Sequence, residues 1–144
     1  MELRLARPDD AEATRTIYNT EVTGSTVTFD LVPRSLQEQR DWIEARSGAM
    51  AVVVAETDGE VVGFAALSRY RSRPAYSTTV EDSIYVRHDQ RGNGVGRALL
   101  AELQSVETDL GRVRPPGTPE AQRFAPRTLD IDILFFGDQM LSAG

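Results

Sequence analysis

The chain has no cysteine, no lysine and only one histidine, His88, among its 144 residues. Without cysteine there is no disulfide, no thiolate nucleophile and no cysteine metal site. Without lysine there is no Walker-type phosphate loop, no Schiff base and no lysine general base. All 16 basic residues are therefore arginine. A lone histidine cannot build a histidine metal cluster. No apolar run approaches the roughly 18 residues a membrane helix requires. The opening Met1-Glu2-Leu3-Arg4 lacks the apolar stretch of a signal peptide. The expectation is a cytoplasmic protein with no membrane partner. With 22 acidic residues the net charge is −6, which speaks against a nucleic-acid partner, since such proteins usually carry a basic face. An apolar content of 40% is enough for a real core, and the length suits one domain.

Patterning along the chain predicts an α/β (α+β) arrangement. Leu3 and Leu5 alternate with Glu2 and Arg4 as a short strand would. Pro8-Asp9-Asp10 opens a helix expected to run to about Asn19, and Ser35 caps a second helix containing Leu36, Trp42 and Ile43. Residues 20–34 read as irregular. Ala51–Ala55 and Val61–Leu67 flank Asp58-Gly59, a hairpin signal. Residues 70–78 read as a loop, and Thr79–Val86 as a further strand. From about Gly94 a helix follows, with Val95, Leu99, Leu103, Val106 and Leu110 on one face. After a proline-bearing loop over 112–127, Leu129–Phe136 alternates as a strand, with Gly137-Asp138 as a turn.

The sharpest motif is Arg91-Gly92-Asn93-Gly94-Val95-Gly96-Arg97, between a strand and a helix. Glycine lets the backbone approach a ligand closely, and the first helical turn offers free N–H groups to an anion. Arg91 and Arg97 add positive charge, so a pyrophosphate is the natural guest. The plain alternative is a glycine-rich turn that merely starts a helix.

Arg-x-x-Gly-x-Gly after a strand resembles the acetyl-CoA loop of the GNAT acetyltransferases. Ile17-Tyr18-Asn19, Ser25-Thr26-Val27-Thr28-Phe29-Asp30, Arg73-Pro74-Ala75-Tyr76 and Val80–Val86 are similar to the phosphinothricin acetyltransferase group. The resemblance spans residues 1 to about 104. It implies a GNAT-like mixed sheet flanked by helices, in the order β-α-α-β-β-β-α-β, and acetyl-CoA as cofactor. It implies that Ile84, Tyr85 and Val86 hold the pantetheine arm and that Arg91 to Arg97 hold the pyrophosphate. Glu81 stands where this group has its general base, deprotonating the amine of a small-molecule acceptor. Phe29, Arg73 and Tyr76 would shape the acceptor pocket, with an arginine suited to a carboxylate. Each has an ordinary alternative: Glu81 as a solvated strand residue, Phe29 as core, Arg73 as surface charge. His88 lies outside the matched positions and reads as a loop residue.

The tail resembles something else. Leu110–Arg114 and Arg123–Leu134 are similar to the folate-synthesis pyrophosphokinase, which transfers pyrophosphate from ATP to 6-hydroxymethyl-7,8-dihydropterin. Asp130 and Asp132 share one face of a strand and would hold Mg²⁺. Arg112, Arg114, Arg123 and Arg127 would neutralise the phosphates. A strand with a polar outer face explains the same alternation. The two resemblances imply a chimera, a single composite domain over 1–144. Residues 1–104 would bind acetyl-CoA, residues 105–144 would be pyrophosphokinase-like, and the seam would lie within Leu99–Val106. Three functions follow: an N-acetyltransferase, intact or impaired by its missing C-terminal half; a Mg²⁺/ATP site; or a non-catalytic scaffold. A truncated sheet with an open edge suits a homodimer.

Overall fold

Asp58 and Gly59 both take positive φ, 53° and 79°, the conformation of the two-residue turn that matches the twist of a hairpin. They join β2 (Val53–Thr57) to β3 (Glu60–Arg69), the centre of the sheet. The computed structural model describes residues 1–24, 32–69, 79–109, 130–132, 135–136 and 139–140. Around the hairpin stand β1 (Glu2–Leu5), α1 (Ala11–Gly24), α2 (Leu36–Glu44), β4 (Thr79–Val86), α3 (Val95–Asp109) and β5 (Asp130–Asp132). β6 (Phe135–Phe136) and β7 (Gln139–Met140) follow. The main sheet has the order β1-β2-β3-β4-β5, antiparallel except for the parallel pair β4–β5. This is the expected mixed α+β sheet flanked by helices.

Helices cover both faces. Leu99 and Leu103 of α3 are buried against Ala55, Ala65 and Leu67 on one face. Ile17 and Tyr18 of α1 and Ile43 of α2 pack with Val54, Phe64 and Ala66 on the other. Each fully buried leucine or isoleucine contributes roughly 1.5–3 kcal/mol, so these two layers fix the helices to the sheet. Gly63 permits the closest approach. A Cβ there would stand 2.9 Å from the Tyr85 backbone oxygen, 3.1 Å from Val95 and 3.2 Å from Leu99.

Two expectations need correction. The first helix does not stop near Asn19; it continues to Gly24. Thr20 and Thr23 donate their hydroxyls back to the Thr16 and Asn19 carbonyls, while buried Glu21 and partly buried Val22 face the core. Tertiary contact there overrides a weak local preference. The strand expected over Leu129–Phe136 is also divided. Asp130–Asp132 joins β4, whereas Phe135–Phe136 pairs antiparallel with Gln139–Met140 in a separate two-stranded sheet.

Candidate acetyl-CoA and acceptor site

β4 is the candidate for carrying the site because, among the described residues, its far edge is only partly paired. β5 pairs with Thr79, Val80 and Glu81; beyond Glu81 no strand pairs with that edge among the described residues. The backbone alternation says which groups face the opening. The Arg87 N–H donates to the Val62 carbonyl at 2.8 Å, so the Tyr85 backbone also turns toward β3. Ile84 and Val86 then turn their N–H and C=O groups outward. The Tyr85 ring goes into the core, stacked on Phe64 at 5.1 Å and edge-on to Tyr18 at 5.3 Å.

The chain leaves β4 through a 3-10 turn, His88–Gln90, and reaches the glycine motif. Gly92 and Gly94 take φ of +80° and +83°, and a Cβ at either would meet nothing within 4 Å. Conformation, not crowding, is what requires glycine there. The first bond of α3 runs from the Ala98 N–H to the Gly94 carbonyl at 3.0 Å, so the N–H groups of Val95, Gly96 and Arg97 have no acceptor within the helix. Val95 is buried and anchors the turn, while Gly92, Asn93, Gly94 and Arg97 are exposed. Gly96 lies against Val86, whose side chain would be 3.7 Å from an added Cβ. Helix-end donors without an intrahelical acceptor, at the positive end of the dipole, are suited to receive an anion.

Arg91 is tied to α1. Its guanidinium donates to the Glu21 carboxylate at 2.5 Å, and His88 Nε2 lies 3.0 Å from the same oxygen. Glu21 is buried. His88 thus joins the cradle to the first helix, a link that the motif match left out. Glu21 also escaped notice, although the steps Ala11, Thr14, Ile17, Tyr18, Glu21 put a charge on a buried helical face.

Glu81 is exposed on β4, at the last residue paired to β5. Its register partner on β3 is Ser68 and on β5 is Asp132. On the sheet face shared with Phe64 and Ala66, Ser68 accepts a hydrogen bond from Arg46 at 2.9 Å. Arg46 also donates to the Leu67 carbonyl at 2.7 Å and stacks 4.3 Å over the Trp42 ring, with Arg34 at 5.0 Å from that ring. Burial, and secondarily the charge of Arg34, hold the Arg46 pKa below the usual arginine range. Phe29, Arg73 and Tyr76 lie outside the described residues, as do Arg112, Arg114, Arg123 and Arg127. Asp130 and Asp132 are described only as strand backbone.

Residues 13–112 match the model of the acetyltransferase (GNAT) family. The phosphinothricin N-acetyltransferase of Alcaligenes faecalis is 39% identical over 102 residues, covering 70% of this chain and 52% of that protein. The L-amino acid N-acyltransferase MnaT of Escherichia coli is 35% identical over 113 residues, covering 78% and 66%. A GNAT phosphinothricin acetyltransferase from Sinorhizobium meliloti, solved in complex with acetyl-CoA, superposes with a TM-score of 0.71 at 38% identity, covering 76% and 60%. The chain thus spans between about half and two thirds of these relatives' lengths. The family match runs past the seam expected within Leu99–Val106. Neither the family nor these relatives support a pyrophosphokinase segment, a Mg²⁺/ATP site or a composite chain. A five-stranded mixed sheet, a cradle between β4 and α3, and a family match over 100 consecutive positions lead to one statement: the chain belongs to the GNAT acetyltransferase family.

Proposed function

We propose that this protein binds acetyl-CoA and acetylates the amine of a small, amino-acid-like acceptor. The observation that carries the proposal is the pair of positive-φ glycines, Gly92 and Gly94, opening a helix beside a strand edge that is unpaired among the described residues. Acetyl-CoA, when bound, supplies an acetyl group activated as a thioester. The N–H groups over Gly92–Arg97 hold its pyrophosphate, with Arg97 adding charge. The outward backbone groups of Ile84 and Val86 hold the amide-bearing arm as a neighbouring strand would. Glu81 takes the proton from the acceptor nitrogen, directly or through a water, so that the lone pair can attack the thioester carbonyl; the C–S bond would then break and coenzyme A leave as a thiolate that takes a proton from solvent. Phe29, Arg73 and Tyr76 complete the acceptor pocket in this reading. Relatives named for phosphinothricin, L-amino acids and L-methionine sulfone support the acceptor class.

Calorimetric titration with acetyl-CoA tests the cradle. Gly94→Val puts a β-branched side chain at φ +83° and is expected to abolish the binding heat. Arg97→Glu reverses an exposed charge without backbone strain and should weaken binding about tenfold with an unchanged melting temperature, the equivalent of ~1.4 kcal/mol. Wild-type affinity in both variants would show that the cofactor binds elsewhere.

A further inference from the structure

We propose that Arg46 is a docking point for an acidic group of the acceptor, placed so that the acceptor's amine reaches Glu81. The inference rests on the acetyltransferase reading and adds a residue to it.

Arg4, Arg15, Arg87 and Arg91 each meet a carboxylate. Arg46 makes no ion pair among the described residues; its bonds go to neutral acceptors, the Leu67 and Met50 carbonyls and the Ser68 hydroxyl. A half-buried cation held only by neutral groups is poorly compensated, so an anion that reaches it gains more than at an exposed arginine. The guanidinium borders a hollow of about 330 Å³, lined also by Trp42, Ala45, Met50 and Ser68. Its planar fork suits a carboxylate or another oxyacid better than a halide-like point charge.

Position supplies the second half. Ser68 lies directly opposite Glu81 in the β3–β4 register, and paired residues on one strand face stand about 5 Å apart. An acceptor whose acid and amine are separated by a few bonds spans from the Arg46 hollow to the base. The indole of Trp42 gives the intervening carbons an apolar wall. Trp42 is itself fixed edge-on to Phe64 at 6.2 Å, so that wall is rigid.

The test compares L-methionine sulfone with its carboxamide, which keeps the amine and loses the negative charge. Binding is measured by calorimetry and turnover by steady-state kinetics, in wild type, Arg46→Gln and Arg46→Lys. The acid should bind Arg46→Gln at least roughly tenfold more weakly, the loss expected for one charge-assisted bond, with partial recovery in Arg46→Lys. The carboxamide and acetyl-CoA should bind all three alike, and the loss should fall on KM rather than kcat. Equal losses for acid and carboxamide would make Arg46 merely structural and overturn the proposal. So would a wild type that takes up neither acceptor while binding acetyl-CoA. Failure to bind acetyl-CoA would instead sink the parent reading, since acceptor binding is measured without it.

Discussion

Glycine does opposite work at two places in this molecule. At Gly63 the demand is space, because an added methyl would press on a backbone oxygen that cannot swing aside. Gly63→Ala is expected to cost about 1–3 kcal/mol, the range for overpacking a closed contact. Differential scanning calorimetry should show a lower melting temperature, and an unshifted transition would mean that α3 can lift off β3 at little cost. At Gly92 and Gly94 the demand is dihedral, so substitution there acts on the cradle's donors rather than on the core. The glycine motif was legible because its spacing is local. Gly63 was not, because its crowding comes from Tyr85, Val95 and Leu99, distant in sequence. Arg46 was illegible for the same reason: nothing near it in the chain announces that its neighbours are carbonyls and a hydroxyl.

Elements are joined here by ion networks as well as by apolar layers. Arg4 on β1 donates a fork of hydrogen bonds, 2.8 and 2.9 Å, to Asp10 at the entrance to α1, and reaches Glu56 on β2 at 2.7 Å. Asp10 also accepts from the Arg7 N–H at 2.7 Å. The bond to Arg4 is the largest cause that lowers the Asp10 pKa from its ordinary 3.8. A depressed carboxylate contributes stability above its unfolded value and loses it as pH falls through the folded one. Stability should thus decline on acidification from near pH 4 downward. Asp10→Asn should remove about 1–3 kcal/mol at neutral pH and flatten that acid limb, as urea titrations between pH 2 and 7 can measure. An acid limb as steep in Asp10→Asn as in wild type would assign the effect to another carboxylate. Element legibility followed local chemistry. The Thr79–Val86 strand and the Ser35 cap appear as read, the cap with its reciprocal Glu38 bond. α1 ran longer than read because Glu21 and Val22 hold its last turn against the rest of the fold.

At the scale of the whole molecule, β5 pairs with β4 at three positions among the described residues, and the strand edge beyond them is the proposed cofactor slot. Hydrogen exchange offers a direct readout. Acetyl-CoA should slow exchange at the Ile84 and Val86 amides, which face the opening, and change Tyr85, already turned to β3, much less. Equal protection of all three would point to general stiffening instead of strand-like docking. The fold as a layered whole was legible because hydrophobic periodicity is written along each element. The edge beyond the β4–β5 pairs was not, because it depends on register between strands far apart in the chain.

That edge has a second consequence, one of colloidal behaviour. Unpaired among the described residues, the outward amides and carbonyls along Ile84–Val86 can template an extended chain that meets them, including another unfolded copy of this one. A ligand seated there would act as a plug against strand addition, so the edge proposed for the cofactor would also govern how readily ligand-free copies add to one another.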